Sequence, residues 1–300
     1  MKQSTRFDVV VEAGNLLGES PVWDVRDGAL WWVDIHGRSL HRWREGHGHG
    51  AWPLSEQTGC IGLCERRGFV CGTRSGFSWF DPVSGERRAL SQPLAGAAHV
   101  RFNDGRCDPR GRFWSGTVHE LREPGGAALH RLSPDGASTC MLDGVTVSNG
   151  IAFSPDQRTM YFADSHAREM YAIEFDADSG VIGERRLFVR FERGWGLPDG
   201  ATVDAEGCVW IAGIEGGRVL RFRPDGRLDR DLALPVSQPT SCSFGGDGLR
   251  TMFVTSARMK LDDAALREQP LAGSVFALDV GVAGLPEPRF DDGVIAATIK

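Results

Sequence analysis

Apolar and polar residues alternate over short stretches of this chain, and Asp and Gly cut those stretches before any helical period can build up. The clearest unit is LPDGATVDAEGCVWIAG, from Leu197 to Gly213: a polar residue before glycine, a short strand, a tight turn, and a second strand ending in Val209-Trp210-Ile211. The unit returns as GESPVWDVRDGALWWVD from Gly18, FNDGRCDPRGRFWSG from Phe102, SNGIAFSPDQRTMYFAD from Ser148 and TSCSFGGDGLRTMFVTS from Thr240. A fainter copy, GCIGLCERRGFVCG, starts at Gly59. With Asp24, Glu65, Asp108, Ser154, Asp204 and Gly245 as equivalent turn positions, the repeat measures roughly 41 to 50 residues, the length of a propeller blade and too long for leucine-rich or ankyrin units. Val, Ile, Trp and Phe crowd the alternating runs, so each copy reads as strand, hairpin, strand. The pattern predicts an all-β chain: a six-bladed β-propeller of four-stranded antiparallel blades around a central channel, with residues 1–300 forming one domain.

The pattern also places elements outside the repeats. RFDVVVE, Arg6 to Glu12, reads as a strand ahead of the first unit, available to pair with the C-terminal blade and close the ring. GHGHG, Gly46 to Gly50, reads as a mobile surface hairpin in preference to a metal site. MKLDDAALREQP, in the sixth unit, reads as one or two helical turns, and the tail after Gly281, containing GLPEP, as irregular chain.

Composition narrows the partners. A formal net charge of −6 with interspersed signs leaves no basic stripe, which argues against nucleic acid and anionic membrane. No run of about 18 apolar residues and no signal-peptide core are visible, so a cytoplasmic protein is expected, as a monomer or weak homo-oligomer. The seven cysteines, Cys60, Cys64, Cys71, Cys107, Cys140, Cys208 and Cys242, lack C-x-x-C spacing and are expected as reduced, mostly buried thiols. The turns at Asp24, Asp108 and Asp204 lack the alternating acids and closing Glu of an EF-hand and read as hairpins. No serine-hydrolase elbow, P-loop or dinucleotide glycine motif is apparent.

Propeller geometry then predicts where chemistry sits. The first strand of each blade lines the channel, and the position five residues before the turn should face the axis: Glu19, Cys60, Asn103, Asn149, Asp199 and Thr240. Two carboxylates and two carboxamides thus converge where a purely structural ring would carry small or apolar residues, and Gly105, Gly150 and Gly200 relieve crowding behind them. Converging buried acids require a compensating positive charge. The all-oxygen set Glu19, Asn149 and Asp199 suits a hard divalent cation: Ca²⁺, Mg²⁺ or Mn²⁺. Arg101 and Glu120, the latter in GTVHE just beyond a second strand, join Asn103 in a polar wall able to hydrogen-bond a polyhydroxylated ligand. His36, His119 and His166 fall near the same rim without a role the repeat can assign.

Through LGESPVWD, RFNDGRCDPRGRFWSGT, SNGIAFSPD, LPDGATVDAEGCVWIA, GGRVLRF and PTSCSFGG, in matching order over five of the six units, the chain resembles the family of senescence marker protein (regucalcin), gluconolactonase and related sugar lactonases. The resemblance implies a six-bladed propeller with a central divalent metal that opens sugar lactones. It places the metal on Glu19, Asn149 and Asp199, with Zn²⁺ and Fe²⁺ joining Ca²⁺ among the candidates. It places substrate contacts on Arg101 and Asn103 of RFND, and on Glu120, where GTVHE departs modestly from the family's GTM. Asp199 would be the general base. The alternatives are an esterase or organophosphate hydrolase on the same scaffold and a non-catalytic calcium-binding propeller.

Overall fold

In the computed structural model, which describes residues 7 to 294, the chain forms six four-stranded antiparallel sheets arranged as the blades of a propeller. In chain order the strands are β1 (Asp8–Val11), then β2 (Gly18–Asp24), β3 (Ala29–Asp34), β4 (Ser39–Arg44) and β5 (Gly48–Pro53) as blade one. Blade two is β6 (Thr58–Leu63), β7 (Phe69–Thr73), β8 (Phe77–Phe80) and β9 (Arg87–Ser91); blade three is β10 (Val100–Cys107), β11 (Phe113–His119), β12 (Ala127–Leu132) and β13 (Ser138–Val145). Blade four is β14 (Ser148–Phe153), β15 (Thr159–Asp164), β16 (Glu169–Asp176) and β17 (Val181–Arg190); blade five is β18 (Leu197–Val203), β19 (Val209–Ile214), β20 (Arg218–Phe222) and β21 (Leu228–Ala233). Blade six takes β22 (Pro239–Gly245), β23 (Thr251–Ser256) and β24 (Val275–Asp279) from the C-terminal part of the chain, and β1 from the N-terminal part.

That borrowing closes the ring. β1 lies antiparallel to β24, with Asp8 opposite Ala277 and Val11 opposite Val275, so the expected pairing of the N-terminal strand with the last blade holds for its described residues. Arg6, at its predicted start, lies outside them. The clasp ties two distant parts of the chain into one sheet, and the edge strand of each blade on the channel side is short and protected by its neighbours.

Burial falls outward along each blade, as the alternation requires. All residues of the inner strands β6, β14 and β22 are buried, whereas the outer strands β5, β9 and β17 are mostly half-buried or exposed. Between blades the core is aromatic: Trp32, Trp79, Trp114 and Trp210 are each fully buried. Two of these indoles are fixed by the turn aspartates. Asp204 accepts the backbone N–H groups of Glu206 and Cys208, each at 3.0 Å, on one oxygen, and Trp210 Nε1 at 2.8 Å and Arg221 Nε at 2.9 Å on the other. Asp108 repeats the arrangement with Trp114 Nε1 at 2.8 Å and Arg112 Nε at 2.5 Å. These saturated carboxylates confirm that the Asp-Gly turns are hairpin corners.

The remaining elements match expectation in type and add detail. α1 (Asp263–Glu268) occupies the predicted insertion and is capped by Asp262, which accepts from Ala265 N at 2.8 Å. GHGHG forms the β4–β5 turn and the start of the outermost strand, and His49 stacks on His41, whose own pKa burial lowers to about 4. Six of the cysteines are buried thiols, Cys140 is exposed, and none is bridged. Among the described residues no helix is long and apolar enough to cross a membrane. The tail is irregular, but it has a job: Gly284 bridges to Asp204, Phe290 bridges to Cys64 and is fully buried, and Glu287 pairs with Arg106 at 2.8 Å inside the channel. It seals the end at which the inner strands finish.

Because Asp204 is fully buried and serves four donors, its loss leaves Trp210 Nε1 and the Glu206 and Cys208 N–H groups without their acceptor and takes from the buried Arg221 one of its three carboxylates. Asp204→Ala is expected to destabilise the fold by about 3 kcal/mol, visible as a lower denaturant midpoint at unchanged slope. A change comparable to that of a surface substitution would count against the corner as a structural element.

Candidate functional site

The open end of the channel is the end at which the inner strands begin. There a cavity of about 500 Å³ is lined by Glu19, Arg101, Asn103, Glu120, Asn149 and Asp199, so all six singled-out residues meet in one place. They come from four blades: Glu19 from β2, Arg101 and Asn103 from β10 with Glu120 just past β11, Asn149 from β14, and Asp199 from β18.

A shared backbone device aims them. In each of these inner strands the ladder slips at the site residue: pairing jumps from Glu19 to Val22, from Phe102 to Gly105, from Asn149 to Ala152 and from Pro198 to Ala201. Each slip is a bulge, which bends the strand and re-aims a side chain off the regular pleat. The residue after the bulge start must tolerate unusual backbone or tight quarters. Gly150 has φ of 63°, and a Cβ on Gly200 would lie 2.0 Å from Ser241 Oγ. In blade one the same place is held by Ser20 at φ 52°, a left-handed non-glycine residue. Its hydroxyl accepts from Ile61 N at 3.0 Å, and its own N–H meets Glu19 Oε2 at 3.2 Å, which fixes the carboxylate.

Hydrogen bonds then link the polar residues from blade to blade. Arg74 donates to Glu120 at 2.9 Å, and Arg101 Nε stands 3.7 Å from the other Glu120 oxygen. Arg101 Nη1 donates to Asn103 Oδ1 at 2.9 Å, Asn103 Nδ2 to Asn149 Oδ1 at 2.8 Å, Asn149 Nδ2 to Ser165 Oγ at 2.8 Å, and Ser165 Oγ to Pro198 O at 2.6 Å. The relay sets both amide orientations: each Nδ2 is spent on a neighbour, and Asn149 Oδ1 keeps a free lone pair.

The two carboxylates stand apart from this relay. Glu19 and Asp199 are 7% and 5% exposed and neither forms an ion pair among the described residues; Asp199 accepts no hydrogen bond there either. Burial pushes the Glu19 pKa well above the ordinary carboxylate value, with Asp199 and Asp104 adding repulsion. Asp199 is raised likewise by burial and then by Asp104, against the pull of Arg122, Lys260 and Arg101. Among the described residues no cluster of three His, Cys, Asp or Glu side chains could hold a metal, so a cation here would need Asn149 as its third protein ligand.

Two of the six ring positions do not reach the cavity, which corrects the expectation that all face the axis. Cys60 Sγ packs on Ser115 Oγ at 3.0 Å, and the Thr240 hydroxyl is taken up by Gly18 O and Thr255. Both side chains are short and are satisfied between neighbouring strands. Of the three histidines, His36 and His166 line the cavity, and His119 instead packs beneath the Glu123 loop, its Nε2 3.5 Å from that carboxylate.

Sequence reasoning missed Asp104, Ser165, Arg122, Glu215 and Lys260. Asp104 is buried next to Asn103 and accepts from Ile151 N at 2.9 Å. Ser165 and Glu215 occupy the same place past a second strand that exposed Glu120, so FADSH and AGIEG carried the signal. Lys260 sits in the blade-six insertion, where the repeat register gives no guide.

Glu19→Gln and Asp199→Asn each remove a buried charge that has no partner. With a chelator present, each is expected to raise stability by roughly 1–3 kcal/mol at pH 8. Since the folded-state pKa is raised, that gain should shrink as pH falls and vanish below the unfolded value, about 4.5 for Glu19 and 3.8 for Asp199, where both states are protonated. Denaturant titrations across this range check the sign, and a destabilised Asp199→Asn at pH 8 would contradict the charge argument.

Comparison with known proteins fits this architecture. A family profile described as "SMP-30/Gluconolactonase/LRE-like region" matches residues 17–258. A 6-deoxy-6-sulfogluconolactonase of Pseudomonas putida is 43% identical, covering 94% of this chain and 97% of the relative. An L-arabinolactonase of Azospirillum brasilense is 36% identical, covering 94% of each. The crystal structure of a calcium-binding protein, regucalcin, from Agrobacterium tumefaciens superposes with a TM-score of 0.91 at 30% identity, covering 95% of this chain and 98% of that one. The match over most of the chain, in sequence and in blade geometry, means that this protein belongs to the SMP-30/gluconolactonase/LRE-like family.

Proposed function

We propose that this chain hydrolyses sugar lactones to the corresponding sugar acids, with one divalent cation held by Glu19, Asn149 and Asp199. The observation that carries the reading is the pair of buried carboxylates in the cavity, neither of which forms an ion pair among the described residues and both of which burial destabilises as charges despite more distant arginines. The residues fit a cation: two carboxylates and an amide oxygen with a free lone pair, all hard oxygen donors, of which Ca²⁺ is the first candidate and Mg²⁺, Mn²⁺, Zn²⁺ and Fe²⁺ the others. The names of the relatives, two lactonases and a calcium-binding regucalcin, support the same pairing of metal and lactone.

When bound, the cation supplies Lewis-acid polarisation of the lactone carbonyl. The side chains do the rest. Asp199, whose pKa burial raises well above the ordinary carboxylate value, takes a proton from the attacking water and returns it to the ring oxygen as the acyl–oxygen bond breaks. Arg101 and Glu120 hold sugar hydroxyls, the guanidinium as donor and the carboxylate as acceptor, and Asn103 fixes both Arg101 and Asn149. The half-polar cavity wall suits a sugar better than an aryl ester, which places esterase or phosphotriesterase activity second.

The test is acid release from gluconolactone, galactonolactone, arabinonolactone and xylonolactone, followed with a pH indicator against spontaneous opening. Chelation should abolish turnover and a single added divalent metal restore it, and Asp199→Ala should lose roughly a thousandfold in kcat. Wild-type rates from Asp199→Ala in chelator would sink the reading. Tight Ca²⁺ binding with no acid release from any lactone would leave a calcium-binding propeller instead.

A further inference from the structure

The cavity mouth holds an excess of positive charge that lactone hydrolysis by itself does not use. On the blade-three side, Arg74 and Arg101 share the single carboxylate of Glu120, so one acid serves two guanidiniums. Arg122, three residues past the end of β11, is exposed, lines the same cavity, and its guanidinium has no hydrogen-bond or ion-pair partner among the described residues. Two guanidiniums of the wall, Arg101 and Arg122, with Arg74 behind Glu120, thus stand against one carboxylate. Burial lowers the Arg101 pKa to about 10; Glu120 and Glu19 pull it back up, and Arg122 and Arg74 push it down. Arg101 Nε is also buried without a hydrogen-bond partner. Opposite, Lys260 is balanced by Glu215 at 2.9 Å. A divalent cation at the floor would balance Glu19 and Asp199 and leave the blade-three wall unbalanced.

Like charges held together on a cavity wall are the usual preparation for an anion. Arg122 is also held at φ 57°, a left-handed conformation that non-glycine residues adopt only where their surroundings enforce it. We propose that Arg122, backed by Arg101, is a specificity residue that selects sugar lactones bearing an anionic tetrahedral group, a sulfonate or a phosphate, on the exocyclic carbon remote from the reacting carbonyl. The reading rests on the lactonase proposal for turnover and on the charge arrangement alone for binding.

The experiment compares kcat/KM of the metal-loaded protein for gluconolactone, 6-phosphogluconolactone and 6-deoxy-6-sulfogluconolactone, in wild type, Arg122→Gly and Arg122→Lys. Arg122→Gly removes the guanidinium and suits the left-handed backbone, so loss of folding does not confuse the result. Wild type should favour one or both anionic lactones by about tenfold or more, a preference that weakens with added salt. In Arg122→Gly that ratio should collapse toward one through KM, and Arg122→Lys should recover part of it. Which anion is favoured separates sulfonate from phosphate. A wild type that treats charged and neutral lactones alike, or a preference that survives Arg122→Gly, overturns the inference and leaves the lactonase reading standing. If no lactone is turned over, calorimetry with 6-phosphogluconate against gluconate decides it: preference for the charged acid that is lost in Arg122→Gly upholds the subsite without the activity, and equal binding removes both.

Discussion

Two buried carboxylates with no cationic partner set the terms for the rest of this molecule. Holding Glu19 and Asp199 near one another in a cavity floor opposes folding, because each charge has lost its water and gained a like-charged neighbour. Such an arrangement persists only where the scaffold over-determines it. Here the scaffold acts through the closed ring, through bulges that recur in the inner strands, and through a hydrogen-bonded relay from Arg101 to Pro198 that leaves each amide one orientation. The left-handed Ser20 completes this, since its hydroxyl ties β2 to β6 while its N–H holds Glu19.

The two ends of the channel solve opposite problems. Where the inner strands finish, buried charges are paired: Arg106 with Glu287, Asp204 with Arg221, Asp108 with Arg112. Phe290 and the irregular tail close that end. Where the strands begin, the acids are unpaired and the cavity is open. Pairing at one end supplies the rigidity that lets the other remain electrostatically unsatisfied, which is the division expected when a site needs unpaired charge to bind something.

Much of this was legible in the sequence because blade repetition converts position into geometry. Alternation and Asp-Gly turns gave the blades, and a fixed offset from the turn found Glu19, Asn103, Asn149 and Asp199. The offset failed at Cys60 and Thr240, since a shared register does not force a short side chain toward the axis when a neighbouring strand offers it a partner. The bulges were hidden because the inner strands are buried on both faces, so an extra residue interrupts no in-and-out alternation. Asp104 was hidden by its neighbour Asn103, as only the slip shows that both point inward. The tail was legible only as irregular chain: GLPEPRF carries no period, and Glu287 gains meaning only from Arg106 on a distant strand.

The parts that face the reacting centre and the parts that face the rest of a ligand are built differently, and this bears on how selectivity can change. The floor residues are knitted through four blades, so altering Asn149 or Asn103 disturbs the orientation of every member of the relay. The rim residues Arg122, Glu215 and Lys260 hang on loops beyond the second strands, each in a left-handed conformation, and enter no part of that relay. Substitution there changes the charge and reach of the cavity mouth without moving the floor. A family sharing one ring of acids and amides can therefore diverge in ligand choice chiefly through its rim, and the charge on that rim is the first quantity to compare between members.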